Sequence, residues 1–75
     1  RGFSVWQHWF RLGLERMQDS GELRPDADPE ELAVGLMAAV QGGYLLVKTT
    51  RDERSMAIAL DMALDSIRVA LSAAE

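Results

Sequence analysis

Residues 32–47 read LAVGLMAAVQGGYLLV and carry no charge, although 27% of the chain is charged. Gln41 and the phenol of Tyr44 are the only polar side-chain groups in the run. As a helix it would span roughly 24 Å at 1.5 Å per residue. The alternation of a half-solvated surface helix is missing, so this helix is apolar around its whole circumference and must be covered on more than one side. A chain of 75 residues has little material with which to surround it, because small domains bury a limited fraction of their surface. A partner is the first expectation.

The flanks of the run mark a helix. Asp28-Pro29-Glu30-Glu31 places a carboxylate at the N-cap, proline at the first helical position and an acidic residue where a capping box has one. Both glutamates also meet the positive end of the helix dipole. The helix is expected to run from Pro29 to about Lys48, whose cation suits a C-terminal end. Upstream, residues 3–19 form an amphipathic helix. Phe3, Trp6, Trp9, Phe10, Leu14 and Met17 fall on one side with Gly13, and Ser4, Gln7, His8, Arg11, Glu15, Gln18 and Asp19 on the other. Gly21 is placed to cap it in the left-handed region, and residues 22–27 read as a polar connection. Residues 49–53 are a turn in which Thr50 or Asp52 caps the third helix, residues 54–73. The polar residues Asp61, Asp65, Arg68 and Ser72 make one narrow stripe on that helix. Met56, Leu60, Ala63, Leu64, Ile67 and Leu71 lie on one flank, with Ile58, Met62, Val69 and Ala73 on the other. Nothing reads as a strand. The expected class is all-α, one domain over residues 1–75.

Composition narrows the function. There is no cysteine, the formal net charge is −4 and only eight residues are Lys or Arg. Disulfides and thiolate metal sites are excluded, and the clustered basic footprint of a nucleic-acid binder is missing. Sixteen apolar residues interrupted by Gly35, Gly42 and Gly43 are short for a membrane span of about 20 residues. The chain opens at Arg1, directly in helical periodicity, without a signal-peptide pattern. A soluble, cytoplasmic piece of something longer is expected, touching neither membrane nor nucleic acid.

No residue pattern supports catalysis or a metal or cofactor. His8 would be a base or a ligand only with a companion, and no second histidine exists, so a solvated surface imidazole accounts for it. Glu30 and Glu31 are adjacent and do not face each other; capping explains them. Asp61 and Asp65, one turn apart, have Arg68 within reach and read as a paired, solvated stripe. Gln41 is different, because a buried amide without partners costs about 1–3 kcal/mol. It shares a side of the helix with Val34, Met37, Tyr44 and Leu45. Either it is satisfied within the protein or across a dimer, or it and Tyr44 present polar tips in an apolar cavity, the usual make-up of a small-molecule pocket. A pocket for a hydrophobic effector between the first two helices would be lined by Trp6, Trp9, Phe10, Met37, Gln41 and Tyr44. The small residues Gly35, Ala38, Ala39, Gly42 and Gly43 recur at helical spacing. Each interior glycine costs about 0.8–1 kcal/mol relative to alanine, which close helix–helix approach would offset. The expected homodimer interface comprises Gly35, Ala39, Gly42, Gly43, Leu46, Ile58, Met62 and Val69.

The run from Gly21 to Ala33, GELRPDADPEELA, followed by Gln41-Gly42-Gly43-Tyr44-Leu45-Leu46 and the Arg51-Asp52 turn, resembles the C-terminal portion of tetracycline-repressor (TetR) family transcriptional regulators. The resemblance covers most of the chain. It implies an all-α regulatory domain whose last two helices pair with those of a second protomer in a four-helix bundle. The helix before them would help to line an effector pocket. That family's DNA-binding helix-turn-helix has no counterpart in these residues, so this portion is not expected to touch DNA. The competing reading is a stand-alone helical interaction module that binds a different chain and no small molecule.

Overall fold

The structure is a computed structural model that describes residues 2–71, with side chains from Val5 onward. Three helices follow one another: α1 (Gly2–Asp19), α2 (Pro29–Thr50) and α3 (Arg54–Ala70). The side chain of Phe3 and the segment from Ser72 to Ala73, both assigned roles by periodicity, lie outside the described residues.

Each boundary has a local cause. At the end of α1, Gly21 takes φ +86°, the Glu22 N–H donates to the Met17 carbonyl at 2.8 Å and the Gly21 N–H to that of Gln18 at 3.2 Å. This pair of bonds is the Schellman closure that the glycine permits. α2 starts as its sequence dictates: Asp28 Oδ1 accepts from the backbone N–H groups of Glu30 at 3.0 Å and Glu31 at 3.4 Å. It runs two residues past Lys48, where the Thr49 and Thr50 hydroxyls donate to the carbonyls of Leu45 and Leu46 at 3.0 and 2.7 Å. Arg51 ends it in the left-handed region, φ 61°, a conformation costing about 1–2 kcal/mol for a residue with a Cβ. The N-cap of α3 is Glu53, whose side chain makes no capping bond, and not the expected Thr50 or Asp52. Asp52, one residue upstream, accepts from the Arg54 N–H at 3.0 Å. Arg54, through its side chain and its N–H, holds this exposed carboxyl below its ordinary range. The Asp52–Arg54 contact is therefore complete above the ordinary aspartate range and is lost as pH falls through the lowered value.

The expected run of α3 to Ala73 is corrected: the helix stops at Ala70, and Leu71 is extended with φ −72° and ψ 148°. Leu71 leaves the helix to pair with Leu23 in an isolated antiparallel bridge, and the Ala70 carbonyl accepts the Arg24 N–H at 2.9 Å. A contact from the α1–α2 connection thus terminates the helix ahead of its apolar pattern.

α2 packs against both other helices. Gly43 faces α3 so closely that a Cβ there would lie 2.9 Å from Met56 Sδ and 3.0 Å from Met56 Cα. Leu14, Leu23 and Ala33 form the buried centre, ringed by Phe10, Met17, Ala27, Leu32, Ile67, Ala70 and Leu71. The result is a slab of 42 × 29 × 13 Å. Its Cα radius of gyration is 13.5 Å, where a compact chain of this length gives about 11 Å. Its accessible surface of 5575 Å² exceeds by roughly 1,000 Å² the value usual for a folded monomer of this mass. The molecule has more surface than its size calls for.

The full 22 residues of α2 have a mean hydropathy of 1.4 in the most apolar window, so by length and composition alone the helix is able to cross a membrane. The sixteen-residue run pointed the other way, because it omitted the capped turns at either end. Within the protomer only Ala33, Met37 and Gly43 of this helix are buried, and 17% of its apolar window is covered.

Candidate functional site: a furrow beside α1 and an open helical face

α1 lies over α2 and leaves an apolar furrow toward α3. Trp9, Phe10, Gly13, Leu14 and Met17 of α1, Leu36 of α2 and Ile67 of α3 line a space of about 270 Å³. Trp9, Gly13 and Met17 are spaced by four residues and so form one wall. Gly13 keeps the wall open, since a Cβ there would meet nothing within 4 Å.

Two of the six expected pocket residues, Trp9 and Phe10, line this furrow. The other four are elsewhere. Trp6 is 56% exposed and Met37 is buried. Tyr44 is exposed beneath the Lys48 ammonium, which lies 5.4 Å from its ring centroid. Gln41 is five residues beyond Leu36, about 140° around the helix, and does not share the furrow wall. Its Nε2 is buried and makes no hydrogen bond, the condition that costs about 1–3 kcal/mol. This nitrogen thus lacks a partner among the described residues of the protomer, and Gln41 is not among the residues that line the furrow.

The side of the slab away from α1 is open. Gly35, Gly42, Leu46, Ile58, Met62 and Val69 are exposed and Ala39 is half-buried. The Gly35 and Gly42 positions have empty space where a side chain would stand. Gly35 and Leu32 of α2 face Ala63 and Ser66 of α3 across a groove of about 400 Å³, so the exposed parts of the two helices form one continuous surface. Gly43 does not belong to it, because its missing side chain admits Met56 of the same chain.

The polar residues behave as their positions predict. His8 Nδ1 is 3.0 Å from the Arg11 guanidinium, which also binds Glu15 at 2.7 Å. Arg68 pairs with Asp65 and reaches Asp61 at 3.9 Å. All of these lie on the periphery, and among the described residues no cluster of metal-ligating side chains exists.

Periodicity missed two residues that organise the site. Among the described residues Leu23 is the bulkiest fully buried side chain, and its signal was a large apolar residue in a connection that is mostly polar. Gln18 Nε2 donates to the carbonyls of Arg24 at 2.9 Å and Ala27 at 2.8 Å and lies 3.5 Å from that of Pro25. No sequence signal distinguishes it from other polar residues on the outer face of α1.

A family model described as "Tetracyclin repressor-like, C-terminal domain" matches residues 1–63. No curated protein and no solved structure matches the chain. The matched span takes in α1, the capped start of α2, its glycine-rich centre and the first half of α3. The chain therefore belongs to the tetracyclin repressor-like C-terminal domain family, the regulatory part of TetR-type regulators.

Proposed function

We propose that this domain pairs with a second copy of itself through the open face of α2 and α3, and that it carries effector recognition for a cytoplasmic repressor. The carrying observation is the continuous apolar face. It coincides with roughly 1,000 Å² of surface beyond that of a compact monomer, the scale on which a specific interface begins. Two such faces brought together make a four-helix bundle, with the notches at Gly35 and Gly42 opposite the protruding Ile58, Met62 and Val69. Domains of this family are regulatory rather than enzymatic and their parent proteins are soluble, which accounts for the apolarity of α2 as core plus interface. Sedimentation equilibrium at micromolar concentration is expected to return twice the 8.3 kDa chain mass. A well-folded species at the single-chain mass would refute the pairing.

The effector in this reading is a small, largely apolar molecule held in the furrow by Trp9 and Phe10. Binding there is expected to shift tryptophan emission, because Trp9 is 63% exposed and would lose water. Gln41 lies off the furrow wall, and its unpartnered Nε2 is assigned to a polar group of the partner protomer, or of a ligand that reaches beyond the furrow. Titration of the full-length parent and its Gln41→Leu variant with hydrophobic small molecules separates these roles. A weakened affinity with the tryptophan response intact places Gln41 on the ligand. Affinity unaltered by the substitution, with no emission change, would remove Gln41 and both indoles from the site.

A further inference from the structure

The α1–α2 connection is fastened to α3 more firmly than its polar sequence requires. Leu23 is sealed in the core and bridges Leu71, and the Arg24 N–H donates to the Ala70 carbonyl. From the other side, Gln18 uses both amide hydrogens on the carbonyls of Arg24 and Ala27. The connection is thus clamped between α1 and the end of α3. That end is the part of α3 where two surfaces meet. Ile67 lines the furrow and Val69 protrudes on the open face, 73% exposed. Leu23 packs the inner side of the connection into the core with Ile67, Ala70 and Leu71, whereas on the outer side a crevice of about 210 Å³ separates Arg24, Asp26 and Ala27 from Ser66, Val69 and Ala70. The backbone bond to Ala70 and the bridge to Leu71 hold it, and Gln18 holds the segment that makes them.

We propose that this connection is a latch on the last turn of α3, with Gln18 as its positioning residue, and that the latch sets the strength of self-association although Gln18 lies away from the open face. The inference rests on the pairing proposed above. The terminal carbonyls of a helix have no partners within it and fray unless something outside engages them. Here the Arg24 N–H engages Ala70. Releasing it frees the turn that carries Val69 and lowers the fraction of chains whose face is ready to pair, which weakens apparent affinity by that fraction.

Two variants of near-equal length test the latch. Gln18→Met removes both donors, and Gln18→Glu turns the same position into an acceptor facing carbonyl oxygens. The dimer dissociation constant is expected to rise several-fold for Met and about tenfold or more for Glu, the order set by losing two neutral hydrogen bonds. Hydrogen exchange on each variant supplies the readout that a general loss of stability would not move. Protection should fall first at the Arg24 N–H, while amides flanking Gly43 in α2 keep theirs. Dissociation constants within twofold of wild type, or protection lost evenly along all three helices, would overturn the latch. A wild-type chain that sediments as a monomer would instead refute the pairing, and this proposal with it.

Discussion

Leu23→Ala is expected to lose about 2–5 kcal/mol of stability, the range for truncating a buried leucine. A domain of this length has about 4–11 kcal/mol in total, so the variant should lose a large share of its stability. The size of the effect follows from how little else is buried. Leu23 is 1% exposed, and Leu14, Ala33 and Met37 are its only companions among buried apolar residues of the described chain. It also touches all three helices through its neighbours Leu14, Ala33 and Ile67. The cavity left behind would open where α1, α2 and the end of α3 meet, and none of the three could collapse into it without leaving the others. Urea denaturation at fixed chain concentration measures the loss. A change below about 1 kcal/mol, the ordinary level for a point substitution, would show that Leu23 does not plug the core.

The adjacent glycines of α2 are expected to respond in opposite ways to the same substitution. Gly43→Leu has no room: its Cβ alone would stand 3.0 Å from Met56 Cα and 3.4 Å from Ala59 Cβ. A backbone atom cannot swing aside, so α2 and α3 must separate, at a cost of about 1–3 kcal/mol or more. For a domain of this size each kcal/mol lowers Tm by about 4–8 °C. At Gly42 an added Cβ would meet nothing within 4 Å in its own protomer, and Gly42→Leu gains part of the roughly 0.8–1 kcal/mol by which glycine lags alanine in helix propensity. Its protomer should be no less helical than wild type. In the proposed pairing its dimer dissociation constant should rise about tenfold or more, because the added side chain would fill the notch assigned to the partner. Thermal melts by circular dichroism and sedimentation equilibrium on both variants decide the matter. An unchanged dissociation constant for Gly42→Leu would move the seam off this face, and an unchanged melt for Gly43→Leu would contradict the α2–α3 packing.

These glycines also show where reading by periodicity ends. Gly35, Ala39, Gly42 and Gly43 were legible as small residues at helical spacing, and close helix approach was the correct inference for Gly43. The approach is within the chain at that position, whereas Gly35 and Gly42 open outward. One hundred degrees of rotation separates residues 42 and 43, and nothing local says which of them an antiparallel neighbour will meet. The aromatic residues divide similarly. Trp9 and Phe10 do line a cavity, but its other walls are Leu36 and Ile67 rather than Gln41 and Tyr44. The line along which α1 crosses α2 selects the partners, and that line depends on Leu23 and the connection it anchors.

From the sequence alone, then, the helices and their starts followed, because caps, proline at the first turn and terminal glycine are chemistry between residues close in the chain. So did family membership, from motifs spread over the chain, and the apolar excess of α2, from composition within a single helix. Whether the Gln41 amide finds a partner was left open by the sequence and decided by the fold. Only the tertiary structure decided which face of α2 was used inside the chain and where α3 stopped. It also placed the furrow on the α3 side of α1, paired Leu23 with Leu71 and set Gln18 on the carbonyls of the connection. Those outcomes depend on contacts between residues far apart in sequence, such as Arg24 with Ala70 and Gly43 with Met56. Such contacts are set by how three apolar surfaces share one small core, and a helical period carries no information about that.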